Sequence, residues 1–185
     1  MTELFPVIAT YLLAIILSLV VISLSVSLVT TLSNGEAPFV RSKKKTVDLL
    51  VQIIELSPQS RVYELGSGDG RILSSLHSKE PRAEYWGVEK NYWPALLFWI
   101  RKNIEKRDTV NLKKSDLFDV DLTKATHVII YLLTKETARL LPKLEKELPV
   151  NSVVYSIDFP FPEEQKEPES VHRSPAGQTI YVYRF

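Results

Sequence analysis

The run Glu64-Leu65-Gly66-Ser67-Gly68-Asp69-Gly70-Arg71 is the segment of this chain best suited to hold a ligand. Its glycines let the backbone come close to a bound molecule where a Cβ would clash. A dinucleotide-binding turn reads Gly-x-Gly-x-x-Gly. Here the third glycine comes one residue early, at Gly70, and Arg71 stands in its place, which disfavours a nicotinamide oxidoreductase. Tyr85-Trp86-Gly87-Val88-Glu89 reads as a later strand ending in a carboxylate, and one carboxylate can accept hydrogen bonds from both hydroxyls of a ribose. Asn111 to Phe118 then supplies Asp116 after a third strand. Taken alone the glycine turn is a weak signal; with two acids following in order it becomes a strong one.

Such groups need a sheet to bring them together, and the elements alternate as an α/β fold with a mostly parallel sheet requires. Apolar spacing predicts a helix over Thr46–Leu56, stopped by Ser57-Pro58. The predicted strands are Arg61–Leu65, Glu84–Glu89, Val110–Lys113, Thr126–Leu132, Ser152–Asp158 and Thr179–Arg184. The last of these is expected to be antiparallel, at the sheet edge or next to it. Helices are expected from about Gly70 to His77, from Pro94 to about Lys106 and over Lys135–Leu148. Ligands of such sheets bind beyond the carboxyl ends of the strands, where Glu64, Glu89, Asp116, Tyr131 and Asp158 all fall.

The pattern acid-x-Gly-x-Gly-x-Gly resembles that of class I S-adenosylmethionine (SAM) methyltransferases. Further segments narrow the resemblance: Ala37-Pro38-Phe39-Val40, Gly87-Val88-Glu89, Asp116-Leu117-Phe118, Leu144 to Pro149 and Phe159-Pro160-Phe161-Pro162. With one N-terminal apolar segment, they are similar to small membrane-anchored methyltransferases. That family includes the mitochondrial lysine methyltransferases of the ADP/ATP carrier and the ATP synthase c-subunit, and prokaryotic relatives. The resemblance implies a Rossmann-like class I domain, SAM as cofactor and a lysine of a membrane protein as acceptor. It also implies residue roles. The Gly66-Ser67-Gly68-Asp69-Gly70 backbone would hold the methionine end, and Glu64 and Asp69 would offer acceptors toward its ammonium or ordered water. Glu89 would take the ribose, with Asn91 beside it, and Asp116 the adenine amine, with Leu117 on the ring. The chain departs from the family at Arg41-Ser42-Lys43, where Pro-Thr is usual, and at Glu163, where an aromatic often stands.

A lysine acceptor must be neutral to attack, and deprotonating it at pH 7 costs about 4.6 kcal/mol. Tyr131, Asp158 and Phe159 are the candidates for the lip that achieves this, although none is assigned as a general base. Tyr131 stands where many nucleobase methyltransferases carry Asn/Asp-Pro-Pro-aromatic, which argues against a base acceptor. The three histidines have no metal-ligand spacing and there are no cysteines, so no metal is expected. Leu96-Leu97-Phe98-Trp99-Ile100 could rest on a membrane, but a buried helix face is the expectation, and Pro160 to Pro175 is expected to be an exposed loop that could cover the acceptor.

Phe5 to Leu32 carries no charge. Its Val7–Val29 stretch, as a helix, would span about 35 Å, enough for a bilayer core. Positive charge flanks only its C-terminal side, at Arg41, Lys43, Lys44 and Lys45. The expectation is a single-pass anchor over 1–35 and a cytoplasmic methyltransferase domain over 36–185. An overall charge of +1 without a basic stripe does not suggest nucleic acid as a partner. Two alternatives remain: a methyltransferase of a lipid or quinone-like molecule, and a non-catalytic SAM-binding module that recruits a partner.

Overall fold

The computed structural model describes residues 4–33 and 40–185, in two compact units, Met1–Pro38 and Phe39–Phe185. The Ala37-Pro38-Phe39 motif and the boundary between 35 and 36 lie outside the described residues. In the first unit, helix α1 (Leu4–Ser33) contains a stretch, Pro6–Ser27, long and apolar enough to cross a membrane. Two of its hydroxyls are satisfied within the helix: Thr10 donates to the Pro6 carbonyl and Ser18 to that of Ala14, both at 2.8 Å.

The second unit is built on seven strands in the order β3-β2-β1-β4-β5-β7-β6. Strands β1 (Arg61–Leu65), β2 (Glu84–Val88), β3 (Val110–Lys113), β4 (His127–Ile130) and β5 (Val153–Ile157) run parallel. Strand β7 (Thr179–Arg184) is antiparallel to β5 and lies next to the edge, which β6 (Ser170–Arg173) forms. Strand β6 corrects the expectation of a plain loop over Pro160 to Pro175. Its alternation is obscured because Ser170, His172 and Arg173 give it the composition of a loop, and pairing with β7 decides its state.

Register places Leu65 opposite Val88 and Ile130, Val88 opposite Lys113, and Ile130 opposite Ser156. The carboxyl ends of five strands therefore form one rim. The chain order reverses between β1 and β4, so the glycine turn after β1 and Tyr131 after β4 meet at the switch point.

Helices α2 (Lys44–Ile53), α3 (Arg71–Lys79) and α4 (Tyr92–Ile104) belong to one face, and α5 (Thr134–Glu147) to the other. Leu50, Ile54, Val62, Leu73, Leu76, Tyr85 and Phe98 fill the first layer. Leu65, Leu122, Val128, Leu140, Leu144, Phe161 and Tyr183 fill the second. The side-chain alternation of β1 sends Val62 and Glu64 to the first layer and Leu65 to the second, as the pleat requires.

Candidate active site

The turn after β1 threads three left-handed glycines, Gly66 (φ 78°), Gly68 (φ 54°) and Gly70 (φ 70°). The Gly66 and Ser67 amides both donate to the Val88 carbonyl at 2.9 Å, which ties the turn to β2. The Gly68 amide donates to Glu89 Oε2 at 2.9 Å and the Asn91 amide to Glu89 Oε1 at 2.8 Å. A backbone donor thus fixes each Glu89 oxygen at the carboxyl end of β2. That placement suits a pair of ribose hydroxyls.

Gly70 has a different task from close approach to a ligand. A Cβ there would lie 2.5 Å from the Phe98 ring, and one on Gly87 would lie 2.2 Å from the same ring. These two glycines form the slot for Phe98, the buried anchor of α4. Gly66 is the one at the ligand mouth, where a Cβ would stand 3.3 Å from Leu132 beyond β4.

Glu64 is buried, and its Oε2 has no hydrogen-bond partner among the described residues. The Ser67 hydroxyl, also buried, is in the same condition. Burial pushes the Glu64 carboxyl well above its ordinary range, and the negative Asp69 and Glu89 add to the effect. A buried carboxyl beside a glycine turn, with an acceptor to spare, suits an amino-acid ammonium.

Asp69 departs from the expectation that it faces such an ammonium. Its carboxylate is buried among three guanidiniums, with Arg71 at 3.0 Å, Arg101 at 3.3 Å and Arg41 at 3.5 Å from Oδ2. Burial alone would raise its pKa, but the hydrogen bonds and charge of Arg71 and the charge of Arg101 hold it below the usual range. Arg101 also donates to the Asp69 carbonyl, and Arg71 to the Ser42 carbonyl. Asp69 therefore fastens the glycine turn to α4 and to the lead-in of α2. The Arg41-Ser42 departure from the family pattern gains a use here, because Arg41 supplies one arm of the cluster.

Asp116 accepts from the Phe118 amide at 3.0 Å and pairs with Lys90 at 3.5 Å. Its side chain caps a 3₁₀ turn, Leu117–Asp119, at the end of β3, and Leu117 packs against the second core layer. Asn91 precedes α4, half-buried and next to Glu89.

On the other side of the switch point, Tyr131 and Asp158 meet through a residue that sequence reasoning missed. Gln178 Nε2 donates to Tyr131 Oη at 2.8 Å and to Asp158 Oδ2 at 2.7 Å. Its Oε1 accepts from the Lys43 amide at 3.2 Å and from the Thr46 hydroxyl at 2.8 Å. Thr46 also meets the Ser174 hydroxyl at 3.1 Å. Asp158 is left-handed (φ 64°), a conformation uncommon outside glycine. The Thr179 amide holds its Oδ1 at 2.9 Å. Phe159 stacks against Tyr131 with ring centroids 6.2 Å apart. Burial raises the Tyr131 pKa, and the neighbouring Asp158 carboxylate raises it further, so the phenol stays protonated at neutral pH. No motif surrounds Gln178; only strand pairing brings it across the sheet.

The ANTKMT methyltransferase domain matches residues 64–168. The chain belongs to this family. A protein-lysine N-methyltransferase of Saccharolobus islandicus is 33% identical over 150 residues, which cover 79% of this chain and 92% of that protein. The human ATP synthase c-subunit lysine N-methyltransferase is 32% identical over 129 residues, which cover 68% of this chain and 53% of that protein. This chain thus spans about half of that relative. Among solved structures, an RNA methyltransferase from Salinibacter ruber in complex with S-adenosyl-L-homocysteine superposes with a TM-score of 0.72 at 27% identity. That match covers 78% of this chain and 93% of the other. The chain is accordingly a SAM-dependent methyltransferase, and the orphaned Glu64 and Ser67 oxygens and the aimed Glu89 carboxylate fit that cofactor.

Proposed function

We propose that this chain is a membrane-tethered protein-lysine methyltransferase with its catalytic domain on the cytoplasmic side. The reading rests chiefly on the lysine-methyltransferase relative aligned along nearly its whole length, and the rim beyond β4 and β5 supports it. SAM, when bound, supplies a sulfonium methyl that an amine takes by in-line displacement. In this reading Glu64 and Ser67 hold the methionine end, Glu89 orients the ribose, and Asp116 with Leu117 receives the adenine. Tyr131, Phe159 and Asp158 form the entrance for a lysine side chain. The aromatic pair removes water from its alkyl stem, while the phenol oxygen and the carboxylate accept its N–H groups and aim its lone pair. Positioning of this kind supplies most of what a displacement at carbon needs.

The apolar helix and the basic residues after it carry the tether and its orientation. Confinement near a bilayer raises the effective concentration of membrane substrates without any new contact. A second reading, an RNA acceptor, draws on the Salinibacter ruber enzyme. Tyr131-Leu132-Leu133-Thr134 at the end of β4, in place of the Asn/Asp-Pro-Pro-aromatic motif, weighs against it.

The test is transfer from radiolabelled SAM to host membranes and to host RNA, with a Glu89→Ala variant beside the native chain. The expected result is a labelled protein band that disappears with the variant, and lysine methylation at the mapped residue. Label only in RNA or only in extractable lipid overturns the lysine assignment.

A further inference from the structure

Helix α4 presents the largest unexplained surface of the domain. Pro94, Ala95 and Phe98 bury its inner side, and Arg101 reaches back to Asp69, so its outward side is not the result of loose docking. On that side Tyr92, Leu96, Ile100 and Ile104 follow one another at four-residue intervals, along one line of the helix. Leu97 and Trp99 flank the line. Ile104 is 75% exposed, Tyr92 59% and Trp99 58%. The expectation of a buried face over Leu96–Ile100 is therefore corrected: of these residues only Phe98 is fully enclosed, and Leu97, Trp99 and Ile100 face outward. The reason is position. Helix α4 lies against β2 and the edge strand β3, and no further element among the described residues covers it.

The exposed charges beside this stripe are mostly lysines, and Glu105, next to Ile104, is paired with Arg101 and Arg107. Helix α4 contains no acidic residue, and Arg101 and Lys102 lie in its last turn. Lys106 follows it, exposed, and Lys113 and Lys114 end the adjacent edge strand region, also exposed. Lys114 Nζ sits 5.1 Å over the Tyr92 ring. Aromatic and aliphatic groups bordered by lysines, on a helix without acids, suit the headgroup boundary of an anionic bilayer. Two-fold pairing of the face on itself would instead bring two sets of lysines together.

We propose that the outward stripe of α4 rests on the surface of an anionic lipid bilayer, as a second membrane contact beside the tether. The inference rests on the membrane-tether reading. It places the rim on which Glu89 and Asn91 lie near the bilayer, since α4 begins at that rim.

The chain has no native cysteine, so single-site spin labels are clean. The full chain is reconstituted into phosphatidylcholine vesicles with and without phosphatidylglycerol. A nitroxide is placed at Ile100→Cys, at Tyr11→Cys in the apolar helix, or at Val171→Cys on β6. Collision with oxygen and with an aqueous nickel chelate is then read for each. With anionic vesicles the Ile100→Cys label is expected to lose nickel accessibility and gain oxygen accessibility, as the Tyr11→Cys label does, while the Val171→Cys label stays aqueous. A lysine-borne contact also predicts a smaller loss of nickel accessibility at Ile100→Cys without phosphatidylglycerol. If Tyr11→Cys is in lipid and Ile100→Cys remains aqueous, the inference fails and the tether stands. If Tyr11→Cys is itself aqueous, the tether reading fails. Spin–spin broadening at Ile100→Cys would assign the stripe to a second copy, and exclusion of both reagents would assign it to packed protein; either result overturns the lipid contact.

Discussion

Replacing Glu64 with glutamine should stabilise the fold and weaken cofactor binding at once. The carboxyl lies under the start of α3, fully enclosed, with one oxygen lacking any partner among the described residues. An unsatisfied buried polar group costs about 1–3 kcal/mol, more when charged. Glutamine keeps the shape and one carbonyl acceptor but removes the charge. The SAM-free Glu64→Gln protein should therefore melt roughly 2–12 °C higher at pH 7.5, taking about 2–4 °C per kcal/mol for a domain of this size. The sign with pH follows from the raised pKa. The native carboxyl keeps its proton above the ordinary value of 4.5, so the native chain loses stability as pH rises through the interval above it. The Glu64→Gln variant lacks that loss, and the two proteins should converge at pH 4 and diverge toward pH 8. With SAM that advantage is offset, because a charge-assisted hydrogen bond to an ammonium contributes about 1.5–3 kcal/mol. Its removal weakens Kd roughly 10- to 150-fold. Calorimetric titration and thermal melts across pH read both halves. A variant that melts lower at pH 7.5 and binds SAM unchanged would refute the reasoning, since Glu64 would then be a satisfied structural group.

Asp69→Asn should behave in the opposite sense, because it removes the partner of three guanidiniums. Because the arginines are themselves partly exposed, a loss of about 1.5–3 kcal/mol is expected at neutral pH. With the native pKa held below its ordinary 3.8, this stabilisation is present above that value and lost as pH falls through the native pKa, so acid melts should bring variant and parent together. Gly87→Ala forces a methyl within 2.2 Å of the Phe98 ring and 2.8 Å of Ser67 Oγ. About 1–3 kcal/mol of destabilisation should appear in denaturant melts, with weaker SAM binding through the displaced Ser67. Gln178→Ala releases Tyr131 and Asp158 from Thr46 without touching the cofactor side. Its kcat on the identified acceptor should fall about 100-fold while the SAM Kd is kept; a matching loss of SAM affinity would show that the two halves of the rim are not separate.

How legible the molecule was depends on how local each feature is. The boundaries of β1, β3 and β7 agree with the periodicity residue for residue, because each is bounded by its own turn residues. The expected strand over Thr126–Leu132 shortens to His127–Ile130: Thr126, just before it, is held by Arg61 at the start of the neighbouring β1, and Leu132 already leads into α5. Glu89 could be read because its position at a strand end is a sequence property. The fate of Asp69 could not, since the arginines that surround it come from positions 41, 71 and 101, and nothing in Leu97-Phe98-Trp99-Ile100-Arg101 indicates that its last member turns inward. Gly70 and Gly87 illustrate the same limit. The spacing of Gly70 marks a ligand turn and Gly87 reads as part of a strand, yet their neighbours assign both to the slot of one phenylalanine.

The half of the rim proposed for the cofactor and the half proposed for the acceptor are built in different ways, and the difference bears on specificity. The first half uses backbone amides and short-range turns, so Gly68 and Asn91 fix Glu89 whatever the rest of the chain does. The second half depends on Gln178 joining the lead-in of α2 to the ends of β4 and β5, three segments distant in sequence. Arg41 and Ser42, the residues that depart from the family pattern, lie immediately before this junction and are tied to Asp69 and Arg71. Changes in that lead-in reach the acceptor entrance directly, through Lys43 and Thr46, and the glycine turn only through the Arg41 and Ser42 ties to Asp69 and Arg71. A chain organised in this manner can change its substrate while keeping its cofactor, and the Arg41-Ser42-Lys43 segment is where such a change would enter.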